Sequence, residues 1–314
     1  TVKNFAGALF DMQADANLFE SFTSTPGTLI NYGTVRRSGS GTVVVAGTFQ
    51  NNGTVDTRSG LLSLSGNVRL NDSAYQGTGH LFLGGTTTLG GTLTVATDAN
   101  VDFGLGTLTG TGTLRGPLKW TADTFTGKLT IATNGTLVIS GSSEKKMNGS
   151  IDNYGTITWT GFRITSDGYP TLNNFSGALF DIQTDNTLFE TYNASSGTMN
   201  NYGTVKKSDG TGATYIYGPV NNQAVFRVET GTVRLRAGGT SGGIFTNLLN
   251  GVMVFDGGTH TLTNGATVTG PGLSYVGATV NVAAGQTATV VDGLCLSNGG
   301  SLGGDGLVNV VAGG

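Results

Sequence analysis

The sequence predicts an all-β protein, a β-solenoid (parallel β-helix) of about 14 coils of roughly 20–27 residues with no significant helix. Three observations lead there: a long internal duplication, an insertion of coil size within it, and short segments that alternate with a period of two. Residues 1–20, TVKNFAGALFDMQADANLFE, match residues 171–190, TLNNFSGALFDIQTDNTLFE, at 13 of 20 positions without a gap. The match continues from Asn31-Tyr32-Gly33-Thr34-Val35 onto Asn201-Tyr202-Gly203-Thr204-Val205, and Arg36-Arg37 becomes Lys206-Lys207. Farther on, GTLTGTG (106–112) aligns with GSLGGDG (300–306) only at an offset larger by 24 residues. A globular core rarely accepts such a block, whereas a solenoid accepts one more coil because each coil touches only its neighbours. The expected organisation is a first module over 1–170 and a second, with the extra coil, over 171–314, in one continuous rod.

Spacing and alternation then place the elements. Asn-aromatic or Asn-Asn markers recur at Asn4, Asn31 and Asn51, and at Asn153, Asn174, Asn201 and Asn221, at coil-sized intervals. Between them lie short strands such as GTLTV (91–95), GKLTI (127–131), GTLVI (135–139), GTITW (155–159) and GTVRL (231–235). Alternation sends Leu93, Val95, Leu129, Ile131, Leu137, Ile139, Ile157, Trp159, Val233 and Leu235 inward. Thr92, Thr94, Lys128, Thr130, Thr158 and Arg234 then face outward, and Gly and Asn between strands supply the corners. Hairpins of a sandwich or barrel would give similar local patterns; the duplication with a coil-sized insertion favours the solenoid.

Composition agrees with this fold and excludes several function classes. Glycine contributes 54 of 314 residues, only 11% are charged, and there are four glutamates and seven lysines, too few for long exposed helices. The net charge of −3 and the scattered basic residues leave no electrostatic footprint for nucleic acid or an anionic membrane. No apolar run approaches the roughly 20 residues of a membrane span. Cys295 is the single cysteine and cannot form an internal disulfide. Five prolines and a 37% hydrophobic share argue against collagen and against a fully disordered chain.

The repeated LxNFxGALFDxQxDxxLFE block, the NYGTV and NNGT markers, the TGTVRL strand and GGTHTL (257–262) resemble the Gly/Thr/Asn-rich β-strand repeats of very large bacterial surface and secreted proteins, including autotransporter- and adhesin-like passengers. The resemblance covers nearly the whole chain. It implies a parallel β-helical rod outside the cell or on its surface, used as a stalk, fibre, adhesin or matrix component, and it brings no catalytic residue with it. Thr1-Val2-Lys3 opens inside a repeat rather than with a basic and apolar leader, and residues 301–314 correspond to 107–120. The chain therefore reads as a mature or excised segment of a longer array, with end coils that stack on neighbouring modules or on another molecule end to end.

Chemistry-bearing residues are few. Asp11, Gln13, Asp15 and Glu20 recur as Asp181, Gln183, Asp185 and Glu190. Two carboxylates and an amide within five residues are oxygen donors suited to calcium, so Asp11, Asp15, Asp181 and Asp185 are the candidate ligands of the one cofactor considered. In the competing reading Asp11 and Gln13 face outward, Asp15 makes a turn, and the glycine of an EF-hand loop is missing at Ala16 and Asn186. His80 and His260 read as exposed loop residues, Cys295 as a buried inert thiol, and Arg36-Arg37 and Lys206-Lys207 as solvated charges or contacts to an anionic glycan. No catalytic residue is assigned and an enzyme is not expected. The leading expectation is a structural or adhesive extracellular solenoid whose partners are its own neighbouring modules, glycans or cell surfaces. A carbohydrate-active β-helix enzyme is the first alternative and would need clustered charges and aromatic platforms on one face. An ice-binding solenoid is the second, suggested by outward pairs such as Thr92/Thr94, Thr107/Thr109, Thr156/Thr158 and Thr261/Thr263, although their irregular spacing argues against register.

Overall fold

The structure is a computed structural model that describes residues 1–20, 26–191, 196–297 and 299–311. Of the interpretable part 63% is strand and none is helix, and the strands wind into a parallel β-solenoid of about 14 turns. The chain divides into two compact units, Thr1–Ile151 and Asp152–Gly314.

In the first unit a turn carries three short strands, each paired in parallel with its counterpart in the next turn. Val2–Asn4 pairs with Thr28–Asn31, which pairs with Thr48–Asn51. Leu9–Met12, Thr34–Arg37 and Thr54–Thr57 form the second stack. Thr42–Val45, Leu61–Leu64 and the start of His80–Val95 belong to the third. Because pairing is parallel and in register, like residues stack on like, and the alternation of the sequence becomes columns inside the solenoid. Leu29, Phe49 and Val68 make one buried column, Val35, Val55 and Tyr75 another, and Leu62, Leu81 and Val101 a third. All ten residues expected to face inward are buried. Farther along, strands run through the corners, as in His80–Val95 and Asn100–Trp120. Gly85 makes such a corner at φ 58°, where a side chain would strike the carbonyls of Ser65 and Gly66 in the turn before it.

The second unit repeats the scheme. Thr156–Trp159, Leu179–Ile182 and Thr204–Lys207 stack in register, as do Thr171–Asn174, Thr198–Asn201 and Val220–Asn222. Gly239–Ser241, Thr259–Leu262, Thr279–Val282 and Ser301–Gly303 form a separate four-stranded parallel sheet. An alternation break is built in at Phe189. Phe189 has φ 61°, so the pairing steps from Ile164↔Leu188 to Thr165↔Glu190 and skips it, and Leu188 and Phe189 are both fully buried. This is a bulge with its extra residue in the left-handed region, a conformation that costs about 1 kcal/mol for a residue with a Cβ and here gains a second buried apolar side chain.

The asparagine markers form the internal corner of the turns. Asn31 Nδ2 donates to Asn51 Oδ1 at 2.7 Å and to the Thr54 carbonyl at 3.0 Å, while Asn31 Oδ1 accepts from Asn4 Nδ2 at 2.8 Å and from the Gly33 N–H at 3.1 Å. Asn201 makes the same four bonds with Asn222, the Val225 carbonyl, Asn174 and the Gly203 N–H. Every capacity of the buried amide is used, which offsets the cost of removing it from water. The separations along these ladders are 27 and 20 residues in the first unit, and 21, 27 and 21 in the second. Asn222 therefore occupies the buried marker position assigned from the sequence to Asn221. Asn221 faces out and belongs to a second ladder, in which Asn173 donates to Asp152, Asn200 to Asn173 and Asn221 to Asn200.

Candidate functional site

The repeated acidic block is tied into the corners of both units. Asp11 Oδ1 accepts from the Ser38 hydroxyl at 2.7 Å, and that bond leads the effects that lower its pKa. Asp181 accepts from Ser208 and lies 3.3 Å from the Lys206 ammonium. Asp15 pairs with Arg37, and Asp185 with Lys207 at 2.6 Å and with the Gly212 N–H at 2.9 Å. Burial pushes the Asp185 carboxyl up, but the bonds from Lys207 and Gly212 outweigh it and hold the pKa below the usual value. The four candidate calcium ligands thus split into an outward pair, Asp11 and Asp181, and a turn pair, Asp15 and Asp185, that each engages a cation. Among the described residues no group of three or more His, Cys, Asp or Glu side chains gathers as a metal site.

The basic doublets are not the solvated charges expected. Arg37 and Lys207 are 0% exposed. Val35 and Val205 point inward, so the next same-side residues, Arg37 and Lys207, must also point inward. Arg37 donates to the Met12 carbonyl at 2.8 Å and the Ala14 carbonyl at 3.2 Å; Lys207 donates to the carbonyls of Thr184 and Asp209 at 3.0 and 2.9 Å. Each cation bonds carbonyls at or just past a strand end, Met12 and Ala14 for Arg37 and Thr184 and Asp209 for Lys207. Arg36 remains outside and pairs with Asp56 at 2.9 Å.

Three further assignments change. His260 is buried on the strand Thr259–Leu262, edge-on to Phe255 at 5.0 Å, and burial drives its pKa down to about 4. His80 begins a strand and lies 3.0 Å from Asp102, part-exposed. Cys295 is exposed rather than buried. Its flanking apolar residues, Leu294 and Leu296, suggested a core strand, but Cys295 pairs with Tyr275, which is itself on the outward side.

Besides the outer asparagine ladder, the outward faces carry two further ordered arrays among the described residues. In the first unit Thr86/Thr88 pairs with Thr107/Thr109, and Thr107 pairs in turn with Thr124, so outward threonines lie in register on three successive turns despite sequence steps of 21 and 17 residues. In the second unit Tyr215, Arg234, Val254 and Tyr275 are register partners on four successive turns. Arg234 lies over the Tyr215 ring at 5.9 Å, and Arg236 over Tyr215 and Tyr217 at 5.7 and 5.3 Å. Asp256 accepts from Arg234 Nη1 at 3.0 Å, with Arg236 Nε 3.9 Å from the same oxygen. Between Arg234 and Tyr275 the small Val254 leaves a depression of about 270 Å³. This aromatic and charged face was missed in the sequence, where its members are separated by unequal intervals. No protein-family model, curated protein or solved structure matches the chain.

Proposed function

We propose that the chain is a module of a longer structural or adhesive β-solenoid, extended by further turns and displayed outside the cell. One observation carries this reading. The block 171–190 is covered by a preceding turn: Thr156–Trp159 pairs with Leu179–Ile182, Asn153 donates to Asn174, and Tyr154 stacks on Phe175 at 4.4 Å with rings 3° from parallel. The equivalent block 1–20 presents the same apolar and hydrogen-bonding groups, with Phe5, Leu9 and Val2 exposed. A turn with the chemistry of 151–166 fits that surface, because its sequence counterpart already receives one. The extracellular and adhesive roles draw their support from the resemblance to surface-protein repeats.

The test places a second copy of residues 151–170 ahead of Thr1. A gain in Tm of several degrees, with amide protection extending over residues 1–12, supports extension by turns. The same fusion with Asn153→Ala and Tyr154→Ala should lose most of the gain. Equal melting of the two fusions and of the parent chain would overturn the reading.

A second reading is favoured by the threonine register. One column of outward threonines spans three turns and a neighbouring one spans two, a hydroxyl and methyl patch with about 6.6 Å along each strand and about 4.8 Å between strands. Such a patch can bind an ordered surface such as ice. Thermal hysteresis in dilute protein, abolished by Thr107→Lys, would support it, and its absence would remove it.

A further inference from the structure

We infer that the Arg234–Val254–Tyr275 notch in the second unit binds a carboxylate-bearing sugar of an anionic polysaccharide. The notch exists because a small residue stands between two large ones in a column whose steps are about 4.8 Å. Val252 and Val254 form an apolar floor, Tyr275 is one wall, and Arg234 with Asp256 forms the opposite rim. Its 270 Å³ lies near the lower bound of small-molecule sites and suits one ring seated in a chain that continues along the surface. A part-exposed tyrosine offers a flat apolar face to the C–H face of a pyranose and a hydroxyl to its oxygens.

Charge selects the class of sugar. Two guanidiniums, of Arg234 and Arg236, face the single carboxylate of Asp256, which leaves the patch one positive charge in excess on a chain of net charge −3. The Arg236 guanidinium, held over Tyr215 and Tyr217, is oriented before any ligand arrives. An arginine held against aromatic rings with its side chain 40% exposed is suited to paired hydrogen bonds with a carboxylate. An acidic peptide is less well matched: extended peptides add to sheet edges, whereas this is a sheet face whose strands are already paired on both sides. One excess cation is also too few to follow a nucleic-acid backbone.

The first unit supplies an internal contrast. Asp56 there lies between Arg36 at 2.9 Å and Arg58 at 3.0 Å, the same acid between two bases. Its surroundings are Gln76, Thr78, Ala96 and Asp98, with no aromatic wall and with a second acid. The charge motif without the tyrosine should therefore not hold a sugar.

The experiment titrates the full chain with an oligogalacturonate by calorimetry, with the methyl-esterified oligosaccharide and a poly-glutamate peptide as competitors of altered chemistry. The expected result is saturable binding that weakens at least tenfold on esterification and falls with added salt. Tyr275→Ala and Arg236→Gln should each weaken binding about tenfold, whereas Arg58→Gln in the first unit should change it less than twofold. Tyr275→Leu, which keeps Val254 covered, should lose binding at an unchanged Tm, separating loss of the wall from loss of the fold. Absence of saturable binding, equal affinity for the esterified sugar, equal affinity for poly-glutamate, or indifference to both Tyr275 variants would each overturn the assignment.

Discussion

The blocks 1–20 and 171–190 share 13 of 20 residues and the same strand positions, yet they differ in what they bury. Phe180 is 0% exposed, while its counterpart Phe10 is only half-buried; Leu179 is half-buried, while Leu9 is 51% exposed; and Phe5 is 66% exposed, where Phe175 is sandwiched between Tyr154 and Tyr202. The three compared residues are identical in the two blocks, so the difference comes from the turn stacked on them. In a solenoid a turn's own sequence sets its path and hydrogen bonding, and its neighbours set how much apolar surface leaves water.

That comparison can be broken by four measurements. The largest expected effect is at the paired phenylalanines. Phe180→Ala should destabilise by about 4 kcal/mol because it leaves a cavity in a covered turn. Phe10→Ala should cost about 1–2 kcal/mol, since its site can still exchange with water; equal losses in urea unfolding would show that the covering turn does not matter. Acid should next separate the two units. His260 is held neutral with its pKa lowered to about 4, so the unfolded chain, near 6.5, binds the proton more readily. Its contribution is intact above about pH 6.5 and is lost progressively as pH falls toward 4, amounting to roughly 3 kcal/mol below both values. His260→Phe should flatten the profile of the second unit. If acid weakens His260→Phe equally, another group is responsible.

The asparagines should give a smaller contrast. Asn201→Ala orphans partners on both sides and should cost about 2–3 kcal/mol, whereas Asn4→Ala, with a single ladder neighbour among the described residues, should cost about 1 kcal/mol. Matching values from thermal melts would mean that ladder position carries no weight. The smallest effect is expected from chelation. With Asp15 and Asp185 engaged by Arg37 and Lys207, millimolar chelator should shift Tm by less than about 1 °C. A clear fall in Tm would instead establish Asp11, Asp15, Asp181 and Asp185 as cation ligands.

Much of the architecture was legible because it depends on a period of two. Leu93, Val95, Ile157 and Trp159 are inward as alternation requires, and the 13-residue identity announced the repeat. The doublets Arg36-Arg37 and Lys206-Lys207 held a readable signal that charge obscured: adjacent strand residues face opposite ways, so one of each pair had to enter the interior. The threonine register and the Tyr215–Arg234–Val254–Tyr275 face were not legible. Both depend on which residues meet between turns, and corners of unequal length uncouple that register from sequence spacing. His260 was misplaced for a related reason, since a polar residue on a short strand between glycines looks like a loop until its column is known.

Each asparagine ladder also has an electrical direction. In the buried ladder every amide N–H points toward the following turn, from Asn153 through Asn174 and Asn201 to Asn222. In the outer ladder every one points back, and this sense is set at both extremities: the Asp152 carboxylate can only accept, and the Thr240 N–H, which binds Asn221 Oδ1, can only donate. Neighbouring files of side-chain dipoles therefore oppose one another and largely cancel, whereas the first unit has the inward file alone, with Lys3, Ile30 and Gln50 at the outer positions. A file of aligned amides terminates in an acceptor at one extremity and a donor at the other. Two such extremities of the same kind repel, so a turn continues a file only if its own amide has the same sense.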